Sequence, residues 1–163
     1  MKTLLLLRHA KSSWDDASLS DFDRPLNERG NRTAPVMGSW LRKKKLKPDL
    51  VLSSPAVRAR QTTQIVCEAA GWAGPVQYDE RVYEAPVQRL LSIVSQIENE
   101  VNLTMMVGHN PGLEELVEAL TGESCRMPTG AVALIELNVE QWQEVRRALG
   151  KLKWLIRPRD IMS

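Results

Sequence analysis

Both histidines of this chain lie beside residues that suit a phosphate site. His9 follows Arg8 directly, and His109 lies in the segment GHNPG at 108–112. A neutral imidazole nitrogen is a nucleophile, and the planar guanidinium of arginine can donate two parallel hydrogen bonds to a phosphate. These residue types therefore indicate phosphoryl transfer through a covalent histidine intermediate. On its own, the Arg8-His9 pair is equally compatible with a surface arginine and a loop histidine.

The segment before Arg8 predicts how this site is positioned. Residues 2–7 read KTLLLL, a continuously apolar run far below the ~18 residues that a membrane span requires. Such a run is typical of a central strand that helices cover on both faces. Arg8 and His9 would then leave the strand at its carboxyl end, where open α/β sheets bind their ligands.

The rest of the chain alternates between strand and helix patterns. Further strands are predicted at 49–53, 76–78, 103–107, 131–137 and 151–156, and helices at 28–45, 54–70, 86–97, 113–120 and 141–149. Because this alternation builds a parallel sheet between helices, we predict an α/β fold, a three-layer α/β/α sandwich with a mostly parallel central sheet and an antiparallel edge strand. No linker or repeat divides the sequence, so residues 1–163 are expected to form a single domain.

The junctions after the first four strands carry the candidate site residues. In chain order they are Arg8 with His9, Arg58, Glu84 and His109. The carboxyl ends of parallel strands meet at one sheet edge, so we expect these side chains to converge. Arg58 lies near a helix start at Ser54-Pro55, where the helix dipole adds partial positive charge. Nearby cations disfavour the imidazolium form, so His9 should be neutral, as a nucleophile must be.

The composition narrows the class of protein. The 163 residues carry a net charge of +2, with no basic run interleaved with aromatic residues, so nucleic acid is not an expected partner. Cys67 and Cys125 are isolated, which favours a reducing, cytoplasmic location over a disulfide. With only two histidines, a tetrahedral metal site has few ligands. We expect a monomer that uses no metal or other cofactor and does not bind a membrane.

Several segments resemble a known family. The sequences RHA at 8–10, SSPAVRARQT at 53–62 and VGHNPG at 107–112 resemble the histidine phosphatase superfamily, whose hallmark is an Arg-His motif after the first strand. The sequences RHAKSSW at 8–14 and DFDRPLNERG at 21–30 are similar to its SixA-type phosphohistidine phosphatase branch. Ala10 stands where much of the superfamily has glycine, as it does in that branch.

The resemblance implies roles for the candidate residues. His9 would be the phosphorylated nucleophile, and Arg8, Arg58 and His109 would complete the phosphate pocket. Glu84 resembles a carboxylate that many members use as a general acid. An imidazole leaving group needs less protonation than an alkoxide, so Glu84 could instead only shape the pocket.

The predicted function is removal of phosphate from a phosphohistidine-bearing protein of the phosphorelay or phosphotransfer type. Only about 50 residues separate Arg58 from His109, too few for a cap domain that would enclose a small substrate. The long loop at 11–24, with Trp14 and Phe22, is then the expected docking wall. Two alternatives stay open: a phosphatase of a small phosphorylated metabolite, and a phospho-recognition module without catalysis. Phosphoglycerate mutase activity is disfavoured because mutases of this superfamily carry longer insertions.

Overall fold

The leucine run at the N-terminus forms the central strand of a six-stranded sheet. In this computed structural model, residues 1–162 are described. The strands are β1 Lys2–Arg8, β2 Leu50–Ser53, β3 Val76–Tyr78, β4 Leu103–Gly108, β5 Val132–Leu137 and β6 Gly150–Ile156. The helices are α1 Glu28–Lys43, α2 Val57–Ala69, α3 Val87–Ser95, α4 Gly112–Thr121 and α5 Pro158–Ile161.

The sheet is parallel over four strands and antiparallel at one edge. The strand order is β3-β2-β4-β1-β5-β6, with β3, β2, β4 and β1 parallel to one another. β5 runs antiparallel to both of its neighbours, β1 and β6. The predicted α/β class and its antiparallel edge are therefore confirmed.

Both faces of β1 are buried, which explains its unbroken run of leucines. Leu4 and Leu6 pack on the face covered by α3 and α4, and Leu5 and Leu7 pack on the face covered by α1 and α2. All four side chains are fully buried. A strand covered on one face only would alternate apolar and polar residues, so the pattern KTLLLL follows directly from the three-layer arrangement.

The register of the central strands determines where the site forms. Arg8 of β1 is paired with Gly108 of β4, and Ser53 of β2 is paired with Val107. The residue after each strand therefore emerges beside the residue after its neighbour. His9 and His109 become neighbours for this reason, although a hundred residues separate them.

The first helix begins where its capping residue predicts, and the second begins later. The predicted start of α1 is confirmed, since the Asn27 side chain accepts a hydrogen bond from the Gly30 amide at 2.9 Å. The predicted start of α2 at Ser54-Pro55 is wrong, because the helix begins at Val57. Ser54 does accept a hydrogen bond from the Ala56 amide, at 3.2 Å, but its hydroxyl also bonds His109.

The predicted helix at 141–149 is wrong. Only a short 3-10 turn forms there, at Trp142–Glu144, within a connection between β5 and β6. Trp142 is fully buried, and its indole N–H donates to the Val101 carbonyl at 2.6 Å. Ala148 has a positive φ of 65°, which no α-helix accommodates. Trp142 is nevertheless a core residue, as its type predicts.

The long loop after β1 is held at both ends. Ser12 forms an isolated antiparallel bridge with Leu26, and the buried guanidinium of Arg24 donates to the Ser12 hydroxyl at 2.9 Å. The loop therefore folds back on itself beside the carboxyl end of β1. Among residues 1–162, every helix is too short or too polar to cross a membrane.

Candidate active site

Two buried histidines form the centre of the site. The ring centroids of His9 and His109 lie 5.1 Å apart, and each residue is only 6 % exposed. The His9 amide donates to the Gly108 carbonyl at 3.1 Å, which extends the pairing of β1 with β4 by one residue. The structure therefore brings these two residues together, as the sequence predicts.

The contacts of His9 define which ring nitrogen is free. Its Nδ1 lies 2.7 Å from the Ala10 carbonyl oxygen. A carbonyl can only accept, so Nδ1 carries the proton and Nε2 keeps its lone pair. The pKa of His9 is lowered to about 3, mainly by burial; the hydrogen bond to Ala10 opposes this shift, and the nearby His109, Arg58 and Arg8 contribute to it. His9 is therefore neutral at physiological pH, with one unprotonated nitrogen available as a nucleophile.

His109 is held between Arg58 and Ser54. Its Nε2 lies 2.8 Å from the Ser54 hydroxyl, and its Nδ1 lies 3.5 Å from an Arg58 guanidinium nitrogen. Because a guanidinium can only donate, Nδ1 is the acceptor and Nε2 carries the proton. Burial, followed by the charge of Arg58, lowers the pKa of His109 to about 4. The ring is thus fixed in place from both sides.

Arg58 is oriented by Asp21, a residue that was not among the predicted site residues. One Arg58 guanidinium nitrogen donates to the Asp21 carbonyl at 2.6 Å, and the other donates to its carboxylate at 3.0 Å. The Tyr83 hydroxyl donates to the same carboxylate oxygen at 2.6 Å, and Arg24 donates to the second oxygen. Asp21 therefore joins the loop at 11–24 to the candidate site.

This network shifts the pKa values of Asp21 and Tyr83 in opposite directions. Burial alone would raise the pKa of Asp21, but the hydrogen bonds from Tyr83, Arg58 and Arg24 outweigh it and hold that pKa well below its usual range. Burial and the Asp21 carboxylate together raise the pKa of Tyr83 to about 12. Asp21 is consequently a charged hydrogen-bond acceptor rather than a source of protons.

Arg8 lies at the same edge and is fixed by the loop before β5. Its guanidinium donates to the Met127 carbonyl at 3.0 Å. The Nε–H groups of Arg8 and Arg58 are buried and have no acceptor within residues 1–162. Buried donors without a partner are rare and often mark a ligand site. Both arginines thus retain donor groups beyond those that position them.

Glu84 occupies a different place from the other four residues. It is exposed and lines a cavity of about 370 Å³ together with His109 and Glu115. Its backbone has a positive φ of 48°, an uncommon conformation that is held at this position in the turn after Tyr83. Its exposed carboxylate thus lies at the entrance of the cavity that His109 also lines. Its role as a general acid stays a prediction.

A further polar residue, Thr62 of α2, supports the site. The Thr62 hydroxyl accepts from the Ala10 amide at 3.0 Å and donates to the Arg58 carbonyl at 2.7 Å. It thereby ties the segment after β1 to the first turn of α2.

Arg60, two residues after Arg58, is exposed and lies over the Tyr78 ring, away from the pocket, as the helix spacing predicts. Within residues 1–162, histidine, cysteine and acidic side chains form no group of three that could hold a metal ion.

The arrangement is suited to phosphoryl transfer. A nucleophilic nitrogen lies among two guanidinium groups and a second imidazole, at the carboxyl edge of a parallel sheet. Positive charge and positioning account for most catalysis of phosphoryl transfer, because the transferring group carries negative charge on its oxygens. Fold and site together therefore define an α/β protein with a candidate active site centred on two histidines.

Comparisons with known proteins identify the family. The family described as histidine phosphatase superfamily (branch 1) matches residues 4–126, and the chain belongs to this superfamily. An uncharacterised chloroplastic protein of Arabidopsis thaliana is 34% identical over 170 residues, covering 96% of this chain and 78% of the relative. The family match includes the candidate site and the strands β1 to β4, and the match to the Arabidopsis protein covers nearly the whole chain.

Solved structures of SixA phosphohistidine phosphatases have the same fold. A protein from Agrobacterium tumefaciens, put forward as a phosphohistidine phosphatase SixA, has 32% sequence identity and a TM-score of 0.83, covering 96% of this chain and 98% of its own. The protein histidine phosphatase SixA in complex with tungstate has 26% identity and a TM-score of 0.85, covering 98% and 99%. The superfamily and these neighbours support a phosphatase.

Proposed function

We propose that this protein is a phosphohistidine phosphatase, which removes phosphate from a histidine side chain of a partner protein through a phospho-His9 intermediate. The observation that carries the proposal is the hydrogen bond from His9 Nδ1 to the Ala10 carbonyl at 2.7 Å. It leaves Nε2 unprotonated among Arg8, Arg58 and His109. Similarity to SixA phosphatases supports phosphohistidine as the substrate group.

The first step transfers the phosphoryl group to the enzyme. Nε2 of His9 attacks phosphorus, a new P–N bond forms, and the P–N bond to the substrate imidazole breaks. The released imidazole nitrogen takes up a proton, which Glu84 could supply from the entrance. Arg8 and Arg58 donate to the phosphoryl oxygens, and each charge-assisted hydrogen bond contributes roughly 1.5–3 kcal/mol. This step requires no metal ion in the proposed mechanism.

The second step releases phosphate. A water molecule attacks phosphorus, the bond to His9 Nε2 breaks, and inorganic phosphate leaves while one proton passes to solvent. The net reaction converts phosphohistidine and water into histidine and phosphate. A bound phosphoryl group carries negative charge, which raises the pKa of His109 and favours a proton on Nδ1. Protonated His109 can then donate to the transferring group.

The openness of the site supports a protein substrate over a small metabolite. Between Arg58 and His109 the chain forms only the rest of α2, β3, a short 3-10 turn, α3 and β4. No element of this stretch is large enough to close over the pocket as a lid. A phosphohistidine presented on another protein can reach such a pocket directly. We further infer that residues 1–163 form one domain, which acts as a monomer in the cytoplasm.

The test compares substrates and variants in the presence of a metal chelator. Wild type, His9→Ala and the control Arg60→Ala are incubated with a phosphohistidine-bearing carrier protein and with a panel of phosphorylated metabolites. We expect turnover of the carrier by wild type and Arg60→Ala, none by His9→Ala, and acid-labile phosphate on His9 by mass spectrometry. Turnover that survives His9→Ala would overturn the mechanism.

Other outcomes identify the alternatives. Turnover of metabolites without turnover of the carrier would indicate a small-molecule phosphatase. Tight binding of the phosphorylated carrier without any turnover would indicate a phospho-recognition module. Activity that disappears with the chelator and returns with a divalent metal would overturn metal independence.

A further inference from the structure

A strongly basic groove lies next to the phosphate pocket. This groove has a volume of about 560 Å³. Five arginines and one carboxylate line it: Arg8, Arg29, Arg126, Arg157, Arg159 and Glu114. Arg8 belongs both to the groove and to the pocket, so a molecule bound in the groove is continuous with a group bound at His9.

The topology explains why these arginines gather at the site edge. β5 runs antiparallel to β1, so its first residue, Val132, pairs with Leu7 beside the site. β6 returns along β5 and ends with Ile156 opposite Val132. The segment before β5 and the segment after β6 are therefore brought to the same edge as the first turn of α1. They carry Arg126, Arg157 and Arg159.

The charges in the groove are largely uncompensated. Arg29, Arg126 and Arg159 are exposed and form no ion pair within residues 1–162. Arg157 pairs with Asp160 at 2.9 Å. The Glu114 carboxylate accepts the Met127 amide at 2.7 Å, which uses part of its hydrogen-bonding capacity.

This concentration of charge is local. The whole chain carries a net charge of only +2, so the groove does not reflect a generally basic surface. A separate cavity, which His109 lines together with Glu84 and Glu115, shares no lining residue with the groove. An acidic ligand is therefore attracted toward the Arg8 side only.

We propose that the basic groove binds an acidic segment of the phosphorylated partner protein while its phosphohistidine occupies the pocket at His9. This inference rests on the proposed function and adds a chemical requirement for the partner, namely aspartate or glutamate residues close to the phosphohistidine. Nucleic acid is a less suitable occupant, because the residues lining the groove include no aromatic platform on which bases could stack.

The test uses three synthetic peptides of equal length with a central phosphohistidine. Their flanking residues are glutamate, serine or lysine. At low ionic strength we expect kcat/KM to be about tenfold higher for the acidic than for the neutral peptide, and lowest for the basic peptide. The preference should weaken as salt screens the charges.

Charge-reversal variants locate the preference. Arg126→Glu/Arg159→Glu should abolish or reverse the order of the three peptides. The matched control Arg146→Glu/Arg147→Glu should retain it, because these exposed arginines lie in the connection between β5 and β6 at the opposite end of those strands. Hydrolysis of a small aryl phosphate reports whether each variant keeps an intact pocket.

The outcomes separate this inference from the proposed function. Equal kcat/KM for the three peptides, or an equal effect of both double variants, would overturn the proposal that the groove binds an acidic segment. Inhibition by a single-stranded oligonucleotide but not by polyglutamate would also overturn it, in favour of nucleic acid. Hydrolysis of the aryl phosphate without hydrolysis of any phosphohistidine peptide would instead overturn the proposed function itself.

Discussion

Asp21 is the residue that links the loop at 11–24 to Arg58. Its carboxylate and carbonyl both accept from Arg58, and the carboxylate also accepts from Tyr83 and Arg24. In the proposed mechanism this network competes with phosphate for the Arg58 guanidinium, and it also fixes the position of that guanidinium. Since a misplaced catalytic group can lower rates by about a hundredfold, we regard positioning as the larger effect.

Asp21→Asn tests this balance. The substitution keeps the side-chain shape but removes the charge that holds Arg58, so we expect kcat for an aryl phosphate to fall about tenfold or more. Tyr83→Phe removes a single hydrogen bond and should have a smaller effect. The control is Asp23→Asn, because Asp23 is exposed and its side chain bonds only Ser20 among residues 1–162. A rise in kcat/KM for Asp21→Asn would show that Asp21 mainly competes with phosphate.

The two buried histidines make stability depend on pH. In the folded protein the pKa of His9 is about 3 and that of His109 about 4, both below the ordinary value of 6.5. Below pH 6.5 the unfolded chain therefore binds more protons than the folded chain, and acid favours unfolding. The free energy of unfolding should decrease by up to about 1.4 kcal/mol per pH unit for each histidine.

Urea unfolding between pH 6.5 and 5 measures this slope before most carboxylates titrate. His109→Gln should reduce the histidine contribution to the slope by about half, since one of two groups is removed. A slope that is unchanged in this variant would show that His109 is not neutral in the folded state.

At the residue scale, the sequence predicts which candidate residues converge but not which residues position them. Arg8, His9, Arg58 and His109 could be placed because their junctions follow four predicted strands. Asp21 and Thr62 could not, since each acts through a contact with a residue at least 37 positions away. Asp21 was visible only as part of the segment DFDRPLNERG, where the pattern of residues does not reveal its partner.

The close packing of α1 against α2 holds in place the helix that carries Arg58 and Thr62. A Cβ on Gly38 of α1 would collide with the Val66 carbonyl and with the Ala69 side chain of α2. Because α2 carries Arg58 and Thr62, a change in this contact displaces the helix that positions both. Glycine is required here for close approach of two helices.

Gly38→Ala should therefore destabilise the protein despite the better helix propensity of alanine. We expect the free energy of unfolding to fall by about 1–3 kcal/mol, as in other overpacked contacts. Ser39→Ala is the control, since Ser39 is exposed on the same helix and its replacement should be nearly neutral. Urea unfolding measures the stability of both variants. If Gly38→Ala is as stable as Ser39→Ala, the packing argument is contradicted.

Most elements could be predicted from local sequence, but the segment at 141–149 could not. The helix α1, with its cap at Asn27, and the strands β1 and β4 lie within two residues of their predicted ranges. The segment at 141–149 has a helical spacing of apolar residues at Trp142 and Val145, yet it forms a wide connection. Trp142 is drawn into the core and bonded to Val101, a tertiary contact that outweighs the local pattern.

At the scale of the molecule, the antiparallel return of β5 and β6 creates surface features that local patterns do not show. The two strands were predicted, as was their antiparallel edge. Their registers with β1 bring Arg126 and Arg159 to the site edge, whereas Arg146 and Arg147 lie in the connection at the other end. Such a charge distribution depends on strand register, which the sequence alone leaves open.

The loop at 11–24 places an exposed aromatic side chain at the same edge as the pocket. Trp14 is 72% exposed, and the Arg24 guanidinium lies 3.5 Å from its ring centroid. Arg24 also donates to Asp21, so the exposed ring is connected to Arg58 by two intervening residues. Exposed tryptophans beside arginines are typical of residues that dominate binding energy at protein interfaces.

Trp14→Ala should therefore lower kcat/KM for a phosphohistidine-bearing carrier protein by about tenfold, mainly through KM. Hydrolysis of a small aryl phosphate should change far less, because Arg58 and Tyr83 still bond Asp21 without the tryptophan. The matched control is Tyr78→Ala, which removes another exposed aromatic ring stacked by an arginine, but on the outer strand β3. Equal losses on both substrates would show that Trp14 acts on the pocket through Arg24, not on the partner protein.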